Sequence, residues 1–336
     1  MSNKKTCYIP EKRGKVGGQA VLEGVMMKSG DNVALTVRKE DGTTVTKNSK
    51  YVSIKKKSAF FRIPIIRGFV NFIESMVLSF STLSDSAELL GIDDEVGESK
   101  FEKWLANKLG DKLMNVIMGI SMVLGVALAI VLFFWLPAFL TKCIEYFTGD
   151  IGLWKSAIEG VIKIGIFISY LLLVSLMKDI RRTFEYHGAE HKSIFCYEAG
   201  LELTVENVRK QSRFHPRCGT SFMFVMLGLS IFAGLFITWD NQFVRALFKI
   251  LTLPLVMGIG YEFLIYAGKH DNFVVRALSA PGLWMQRITT REPDDSQIEC
   301  AIISLKAAMP EEFPVEAEAE AGAEESGESE TDSEEK

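Results

Sequence analysis

Two histidines four residues apart, with a carboxylate beside the second, are the residues of this chain best suited to chemistry. They are His187 and His191, and Glu190 directly precedes His191. On a helix, side chains four residues apart lie on one face a turn from each other, so both imidazoles can reach a single cation. Glu190 would then lie beside that cation, as a third ligand or as a general base.

A second polar pair, His215 and Cys218, follows before the next apolar run. The order H-x-x-E-H is that of the inverzincin zinc enzymes, and zinc favours imidazole nitrogen and thiolate sulfur. The sequence therefore predicts a divalent metal site, with zinc as the first candidate and Glu190 as the catalytic base. The predicted metal ligands are His187, His191, His215 and Cys218. The competing interpretation is a polar helix face at a membrane boundary, with a packed turn at 215–218.

Three further polar residues are candidates for a functional role. His270 lies just after the last apolar run, where it could complete a site or cap a helix. Glu262 lies within that run, where a carboxylate is costly unless it is functional, reaches the interface or pairs with a basic neighbour. Glu23 lies among apolar neighbours in the glycine-rich segment 16–27. That segment matches neither the dinucleotide-binding fingerprint nor the phosphate-binding loop, so it predicts no nucleotide site.

The elements that must position these residues are apolar runs of membrane-spanning length. Two of the runs contain no charge, and all approach the roughly 20 residues needed to cross a bilayer. The predicted spans are 116–136, 158–177, 221–239 and 248–267. Glu159 and Lys163 are four residues apart near one end of their span and are predicted to pair with each other. The sequence thus predicts four crossings.

Basic residues predict how these spans are oriented. The loop 178–220 holds eight Lys and Arg, and the region before the first span is also basic. The linkers 141–157 and 240–242 are short and poor in basic residues. By the positive-inside rule, both termini and the histidine loop face the cytoplasm. Residues 1–19 have no apolar core of the kind found in secretory signals.

Shorter elements flank the predicted membrane region. Residues 33–38 and 43–46 alternate around an Asp-Gly turn and predict a β-hairpin, with 51–54 as a candidate third strand. From Pro64, apolar residues recur every three or four positions and predict an amphipathic helix in the interface or against the bundle. A capped helix is predicted after Pro293. The predicted organisation is a glycine-rich segment and β-hairpin at 1–57, interfacial helices at 58–112, the four-helix membrane region at 113–268, C-terminal helices at 269–310 and an acidic tail at 311–336.

The formal charge of −4 hides two unlike parts of the chain. Residues 311–336 contain 12 acidic residues and one Lys, so the rest of the chain carries +7. Such a tail cannot bury enough apolar area to offset its ordering entropy, so we predict that it is disordered and dispensable for folding. Five scattered cysteines favour a reducing cytoplasmic face over a disulfide framework. The basic loop has too few aromatic residues to stack bases, and no nucleic acid partner is expected.

Four segments of the chain resemble the YqhQ-like family of bacterial polytopic membrane proteins, a domain of unknown function. They are residues 17–27 (GGQAVLEGVMM), 186–192 (YHGAEHK), 215–219 (HPRCG) and 280–295 (APGLWMQRITTREPDD). The resemblance covers roughly residues 14–308, and the acidic tail is the one departure from it. It implies a polytopic protein of the bacterial plasma membrane. Because the family has been described as predicted metal-dependent enzymes, it also implies metal chemistry, but no particular reaction.

These observations predict a mainly α, polytopic membrane protein with about four transmembrane helices, a small N-terminal β element and an interfacial amphipathic helix. The leading hypothesis is a membrane-bound metal-dependent hydrolase with a cytoplasm-facing site. The alternative is a non-catalytic membrane factor, for example in membrane-protein assembly, whose metal site is structural or absent. A transporter that uses Glu159 and Glu262 is weaker, since the spans lack obvious breaks. The predicted partners are the lipid bilayer and either another membrane protein or a second copy of the chain.

Overall fold

The computed structural model of the protein describes residues 9–91, 113–237, 242–270 and 272–314. This part of the chain is mainly helical, with a four-stranded antiparallel sheet near its N-terminal end. The strands are Val16–Val21 (β1), Gly24–Ser29 (β2), Asn32–Arg38 (β3) and Thr44–Lys50 (β4). The helices are Ile66–Leu89 (α1), Leu113–Ile130 (α2), Leu136–Thr148 (α3), Lys155–Val174 (α4), Lys178–Glu198 (α5), Val205–Arg209 (α6), Gly219–Gly234 (α7), Gln242–Lys269 (α8), Phe273–Thr289 (α9) and Asp295–Ala307 (α10).

Successive hairpins build the sheet in the order β1-β2-β3-β4. The predicted β3–β4 hairpin is confirmed, and Gly42 in its turn has a φ of 86°, a conformation that suits glycine. The glycine-rich segment 16–27, which the sequence did not assign to strands, forms the β1–β2 hairpin. Its turn consists of Leu22 and Glu23, and Glu23 has a φ of 47°.

The third strand predicted at 51–54 is wrong. Strand β4 ends at Lys50, and Ser53 then accepts the backbone N–H of Lys55 at 3.3 Å. This bond caps a 3-10 turn, Ile54–Lys56. A serine hydroxyl that bonds the local backbone offers the chain an alternative to the sheet ladder.

Both faces of the sheet are covered, which explains why the central strands are apolar along their whole length. Val25 and Met27 of β2 face one way and pack against α5 and α10. Met26, with Leu35 of β3, faces the other way and packs toward Leu78 of α1. Successive strand residues alternate between the two faces. Because α10 comes from the C-terminal part of the chain, both ends of the described chain share one core.

Helix α1 is the amphipathic helix predicted from Pro64, and it packs against both the sheet and α8. Gln19 of β1 donates from Nε2 to Oγ1 of Thr82 at 2.7 Å. A Cβ on Gly68 would lie 2.9 Å from the Cα of Gly258, so α1 and α8 meet at backbone contact. The exposed apolar side chains of α1 are Ile73, Met76, Val77, Phe80 and Leu83. The helix is confirmed, and its place in a membrane interface stays a prediction.

Within the described residues, three helices are long and apolar enough to cross a membrane: Ile120–Thr148, Lys155–Val174 and Leu247–Ala267. The first runs from α2 through a π-helical turn, Val131–Trp135, into α3. The predicted span 221–239 forms α7, which has 16 residues and is shorter than the other three. Apolar side chains on the long helices are largely open, as at Met122, which is 66% exposed. An apolar surface of this extent suggests association with a membrane.

Two carboxylates in the apolar helices pair with basic residues of neighbouring helices. Glu159 of α4 accepts a hydrogen bond from Lys249 of α8 at 2.6 Å. The predicted pairing of Glu159 with Lys163 on its own helix is therefore replaced by a pair across the helix interface. Glu262 of α8 accepts two hydrogen bonds from the guanidinium of Arg67 in α1, one of them at 2.6 Å. This is one of the outcomes that the sequence allowed for a carboxylate in an apolar run.

The region 178–220, predicted as a polar loop, is largely helical. Helix α5 takes up 21 of its residues, and positions 188–198 are buried. The sheet and α10 cover this half of the helix, and its residues belong to the same core. His191 therefore lies in the protein interior, and His187 is half-buried at the edge of that interior.

The C-terminal helix predicted after Pro293 is confirmed as α10. Asp294 accepts the backbone N–H of Gln297 at 2.9 Å, and the Gln297 side chain accepts the N–H of Asp294 at 3.0 Å. The packed chain continues beyond residue 310, where the acidic tail was predicted to begin. Phe313 packs against the core, and Glu312 accepts from the hydroxyl of Tyr197 at 2.9 Å. Residues 92–112 of the predicted interfacial region and 315–336 of the predicted tail lie outside the described residues.

Candidate metal centre

Helix α5 brings His187 and His191 together, because residues four apart stack on one helix face. Their ring centroids are 4.4 Å apart. Cys218 joins them from the N-cap position of α7. One ligand atom from each of the three residues lies within 4.8 Å of the other two. The fold therefore assembles three of the four predicted ligands, and this His-His-Cys group could bind a metal ion.

Backbone carbonyls hold both histidine rings so that Nε2 is available to the group. His187 donates from Nδ1 to the carbonyl of Thr289 at 2.9 Å, and His191 donates from Nδ1 to the carbonyl of Arg213 at 2.6 Å. A carbonyl can only accept, so in the neutral rings Nδ1 carries the proton and Nε2 keeps its lone pair. His187 Nε2 lies 3.1 Å from Cys218 Sγ. Proteins commonly orient metal-binding imidazoles in this way.

The surroundings of Cys218 favour the thiolate, which is the form that binds metal. Burial raises the pKa of the thiol, but the charges of His187 and His191 and their hydrogen bonds outweigh burial and hold the pKa well below its usual value. Burial lowers the pKa of His187, but Cys218 and Glu190 outweigh it and raise that pKa to about 9. Thr220 Oγ1 lies 3.1 Å from the sulfur. The N-terminus of α7 also favours negative charge at this position.

Glu190 is a buried carboxylate beside the His-His-Cys group. The residue is 5% exposed, and its Oε2 has no hydrogen-bond partner in the part of the chain that the structure describes. Burial raises the pKa of Glu190, while His187 and His191 oppose this rise. A Cβ on Gly18 of β1 would come within 3.1 Å of the Glu190 Cγ, so a glycine there leaves space for the carboxylate side chain.

His215, the fourth predicted ligand, lies beside the group but is not one of its three members. Its ring centroid is 5.4 Å from that of His191, and its Nδ1 accepts the backbone N–H of Arg217 at 3.3 Å. Gln286 of α9 holds its backbone, donating to the His215 carbonyl and accepting the His215 N–H, both at 2.7 Å. Burial, with the charges of His191 and Arg217, holds the pKa of His215 well below its usual value. A ligand role for His215 stays a prediction.

Residues 289–293 form a strap over α5 that the metal-site prediction did not include. The backbone N–H of Arg291 donates to a carbonyl of α5 at 2.8 Å. A Cβ on Gly188 would lie 2.0 Å from the Arg291 carbonyl oxygen, so only glycine permits this approach. Glu292 forms an ion pair with the buried Lys192 at 2.7 Å. The strap fixes the Thr289 carbonyl that orients His187, a backbone role that leaves no mark in the sequence.

The three other candidate residues lie outside the His-His-Cys group. Glu23, in the β1–β2 turn, forms an ion pair with Arg182 of α5. Glu262 forms its ion pair with Arg67. His270 is exposed at the end of α8 and stacks on Tyr266, with ring centroids 4.1 Å apart. None of these three side chains belongs to the group formed by His187, His191 and Cys218.

The four segments that carry the family resemblance meet around this group. Residues 17–27 form the hairpin that packs on Glu190, and 186–192 supply the two histidines. Residues 215–219 supply Cys218, and 280–295 supply the strap. The fold and the site together define a helical protein with apolar helices of membrane-spanning length and a His-His-Cys group at one end of them, in which His191 and Cys218 are buried and His187 is half-buried.

Comparison with known proteins gives the family. The family model described as "Protein of unknown function (DUF1385)" matches residues 63–311, so the chain belongs to this family. The "Uncharacterized protein YqhQ" of Bacillus subtilis (strain 168) is 34% identical over 301 residues, which cover 86% of this chain and 90% of that protein. No solved structure matches. The resemblance predicted from the four segments is confirmed, and because the family brings no reaction with it, function must be argued from the site.

Proposed function

We propose that this protein is a membrane-bound, metal-dependent hydrolase whose metal centre faces the cytoplasm. The observation that carries the proposal is the group formed by His187, His191 and Cys218, beside the buried carboxylate of Glu190. Two imidazole nitrogens and a thiolate form a donor set that suits zinc among the divalent metals.

The number of ligands favours a catalytic centre over a structural one. Structural zinc sites are closed by four side chains, whereas catalytic sites use three and leave a position for water or substrate. Within the described residues, three side chains belong to the group. When bound there, zinc would supply a Lewis acid and lower the pKa of a coordinated water to about 7.

The chain's own residues would orient the ligands and handle the proton. The carbonyls of Thr289 and Arg213 fix the two histidine rings, so little reorganisation is needed on binding. Glu190 is acceptor-only when ionised, and its Oε2 has no partner among the described residues, so it can take a proton from water. Burial of Glu190, His191 and Cys218 limits their contact with bulk water and strengthens their electrostatic interactions.

Four membrane crossings are part of this proposal, with α7 as the fourth. Helix α7 runs antiparallel to α8: the rings of Phe222 and Tyr261 are 6.5 Å apart, and a Cβ on Gly234 would lie 3.9 Å from Lys249 Cε. At 1.5 Å per residue, α7 spans about 24 Å, slightly less than the roughly 30 Å of a bilayer core. The sheet and α10 share one core, so the chain must return to the side on which it began. An even number of crossings follows.

The basic residues of 178–220 support a cytoplasmic position for the metal centre. This region contains the two histidines and Cys218, and its positive charge favours the cytoplasmic side of a bacterial plasma membrane. The N-terminal sheet and α10 pack against α5, so they would lie on the same side.

A non-catalytic metal staple is the alternative, and the position of His215 is the observation that favours it. Its ring is 5.4 Å from that of His191, so a modest turn of the side chain would offer a fourth ligand. A closed four-ligand site would hold α5 against the segment before α7 and would need no base.

Cobalt substitution of the purified protein tests both the site and its openness. We expect one Co²⁺ per chain, with the absorption of a thiolate–cobalt bond, and loss of that band in His187→Ala and Cys218→Ala. Glu190→Gln and the control His270→Ala, a histidine outside the group, should keep the band. A change of the cobalt spectrum on adding acetohydroxamate would support an open position. An unchanged spectrum, with metal lost in His215→Ala, would support the staple instead.

Hydrolysis of an activated ester such as p-nitrophenyl acetate provides the activity readout. The proposal expects metal-dependent turnover that falls at least ~100-fold in Glu190→Gln, because general-base catalysis contributes about 10²–10⁴-fold. His270→Ala should keep wild-type turnover. Protein that binds no transition metal under these conditions would contradict both the hydrolase and the staple.

A further inference from the structure

A second polar site lies between the apolar helices, in a cavity of about 170 Å³. Its walls come from the π-helical turn 131–135 and from α4, α7 and α8. Its charged lining residues are Glu159, Lys163 and Lys249, and its apolar lining includes Phe133, Phe134, Leu227, Ile231 and Leu253. The proposed hydrolase chemistry uses none of these residues.

This cavity is at the opposite end of the bundle from the metal centre. Glu159 and Lys163 lie near the start of α4, whereas the end of α4 leads into the histidine helix α5. Gly234, which also lines the cavity, ends α7, whereas Cys218 precedes the start of that helix. The two sites are therefore separated along the length of the same helices.

The charges around the cavity leave a positive excess. Lys249 donates to Glu159 at 2.6 Å, which neutralises one ammonium with one carboxylate. Lys163 forms no ion pair within the described residues, and its Nζ lies 5.5 Å from the centroid of the Phe134 ring. An ammonium among apolar helices is costly unless it has a partner or marks a functional site. An anion bound in the cavity would supply Lys163 with an ion-pair partner.

Two helix irregularities frame the same cavity. The π-helical turn Val131–Trp135 places Phe133 and Phe134 in its wall. In α8, Pro254 interrupts the backbone hydrogen bonds directly after Leu253, another lining residue. Such turns and interrupted helices within membranes are frequent where a ligand is bound. The sequence predicted spans without obvious breaks, and Pro254 is the residue that could have indicated this one.

We propose that this cavity binds the phosphate or carboxylate head of an anionic amphiphile, with Lys163 as the principal contact. The cavity volume is below the roughly 300–1,000 Å³ of sites that enclose a drug-sized ligand, so only the head group enters and the hydrocarbon chain of the amphiphile stays outside. Apolar residues such as Leu227 and Leu253 would contact that hydrocarbon chain. Lys163 lies about 12 Å along α4 from its start, at 1.5 Å per residue. This depth suits the junction of lipid head groups and acyl chains.

Ligand-induced stabilisation of the purified full-length protein tests the proposal. The unfolding temperature in neutral detergent is followed during titration with short-chain phosphatidylglycerol, phosphatidylcholine of the same chain length, and inorganic phosphate. We expect saturable stabilisation by phosphatidylglycerol and none by phosphatidylcholine. Lys163→Met should weaken the phosphatidylglycerol affinity at least ~10-fold, because a charge-assisted hydrogen bond is lost.

Lys155→Met is the matched control, since Lys155 lies on the same helix and near the same end but pairs with Glu145 at 2.7 Å, outside the cavity. It should keep the wild-type affinity. If inorganic phosphate alone stabilises the protein, and Lys163→Met abolishes this effect, the ligand of the cavity is a free anion and not a lipid. Equal stabilisation by both lipids without an effect of phosphate, or wild-type affinity in Lys163→Met, would overturn the proposal. Cobalt binding should be unchanged in Lys163→Met, so failure here is distinct from failure of the hydrolase.

Discussion

At the scale of single residues, the candidate metal centre depends on backbone atoms as much as on its ligands. His187 and His191 have the correct spacing on α5, but their ring orientations come from the carbonyls of Thr289 and Arg213. Gly188, between the two histidines, lets the strap approach closely enough for the Thr289 carbonyl to reach His187. The glycine of the motif is thus as necessary to the geometry as the histidines on either side of it.

Gly188→Ala should therefore weaken both folding and metal binding. Its Cβ would lie 2.0 Å from the Arg291 carbonyl oxygen, so the strap must move, at a cost of about 1–3 kcal/mol in unfolding free energy. Loss of the carbonyl that orients His187 should lower metal affinity about 10–100-fold. Thermal unfolding and competition with a zinc chelator measure the two effects.

Gly165→Ala is the control for that substitution, because it lies in helix α4 with nothing within 4 Å of the added Cβ. It should leave metal affinity unchanged and alter stability by less than about 1 kcal/mol. Equal effects of the two alanines would mean that the close approach at Gly188 is not what holds the strap.

At the scale of elements, α1 connects the N-terminal sheet to the apolar helices. Its inner face bonds to the sheet through Gln19, and Gly68 lies in backbone contact with Gly258 of α8. The ion pair of Arg67 with Glu262 is part of the same crossing. A carboxylate within an apolar helix is stable there because a neighbouring helix delivers a guanidinium with two parallel hydrogen bonds.

Arg67→Met should destabilise the protein more than the double substitution Arg67→Met with Glu262→Met. The single change leaves the carboxylate of Glu262, whose side chain is 26% exposed, without its partner at a cost of about 1–3 kcal/mol, whereas the double change removes both charges. Thermal unfolding in detergent measures the stability of the single and double variants. Lys210→Met, which breaks an exposed pair with Glu206 on one helix face, should cost less than about 1 kcal/mol. A single variant as stable as the double would contradict a structural role for the pair.

At the scale of the whole molecule, the two ends of the described chain form one folded unit. The sheet, α5 and α10 share a core, and the chain beyond α10 adds Phe313 and Glu312 to it. This shared core places the N-terminal and C-terminal parts on one side of any membrane that the apolar helices cross. Because Glu312 and Phe313 belong to this core, the part of the acidic tail that is dispensable for folding should begin after them.

Truncation after Pro314 should leave the unfolding temperature unchanged, whereas truncation after Pro310 should lower the stability by about 1–3 kcal/mol. The shorter chain loses the packing of Phe313 and the carboxylate that accepts from Tyr197. Thermal unfolding of the two truncated proteins in the same detergent makes the comparison. Equal stability of the two would show that the core ends with α10.

Labelling of single cysteines in intact cells tests the orientation. Leu201→Cys and Trp154→Cys replace exposed residues near opposite ends of the apolar helices. The positive-inside rule predicts that a membrane-impermeant maleimide labels position 154 and not position 201, until the cells are permeabilised. The reverse pattern would contradict a cytoplasmic metal centre.

The sequence by itself determined the features that depend on neighbours along the chain. The spacing of His187 and His191 put them on one helix face, and the residue type of Cys218 made it a candidate ligand. The Asp-Gly turn specified the β3–β4 hairpin, and apolar runs with few charges specified the long helices. These signals are local, because helix period, turn chemistry and hydropathy can each be read from side chains that are neighbours in the sequence.

Only the tertiary structure decided which distant groups meet. It turned the glycine-rich segment into a hairpin against Glu190, set the strap carbonyl on His187, kept His215 beside the group, and paired Glu159 with Lys249. These contacts join backbone atoms, which every residue carries, or side chains far apart in the chain. Local periodicity contains no record of either, because both depend on how whole elements pack against one another.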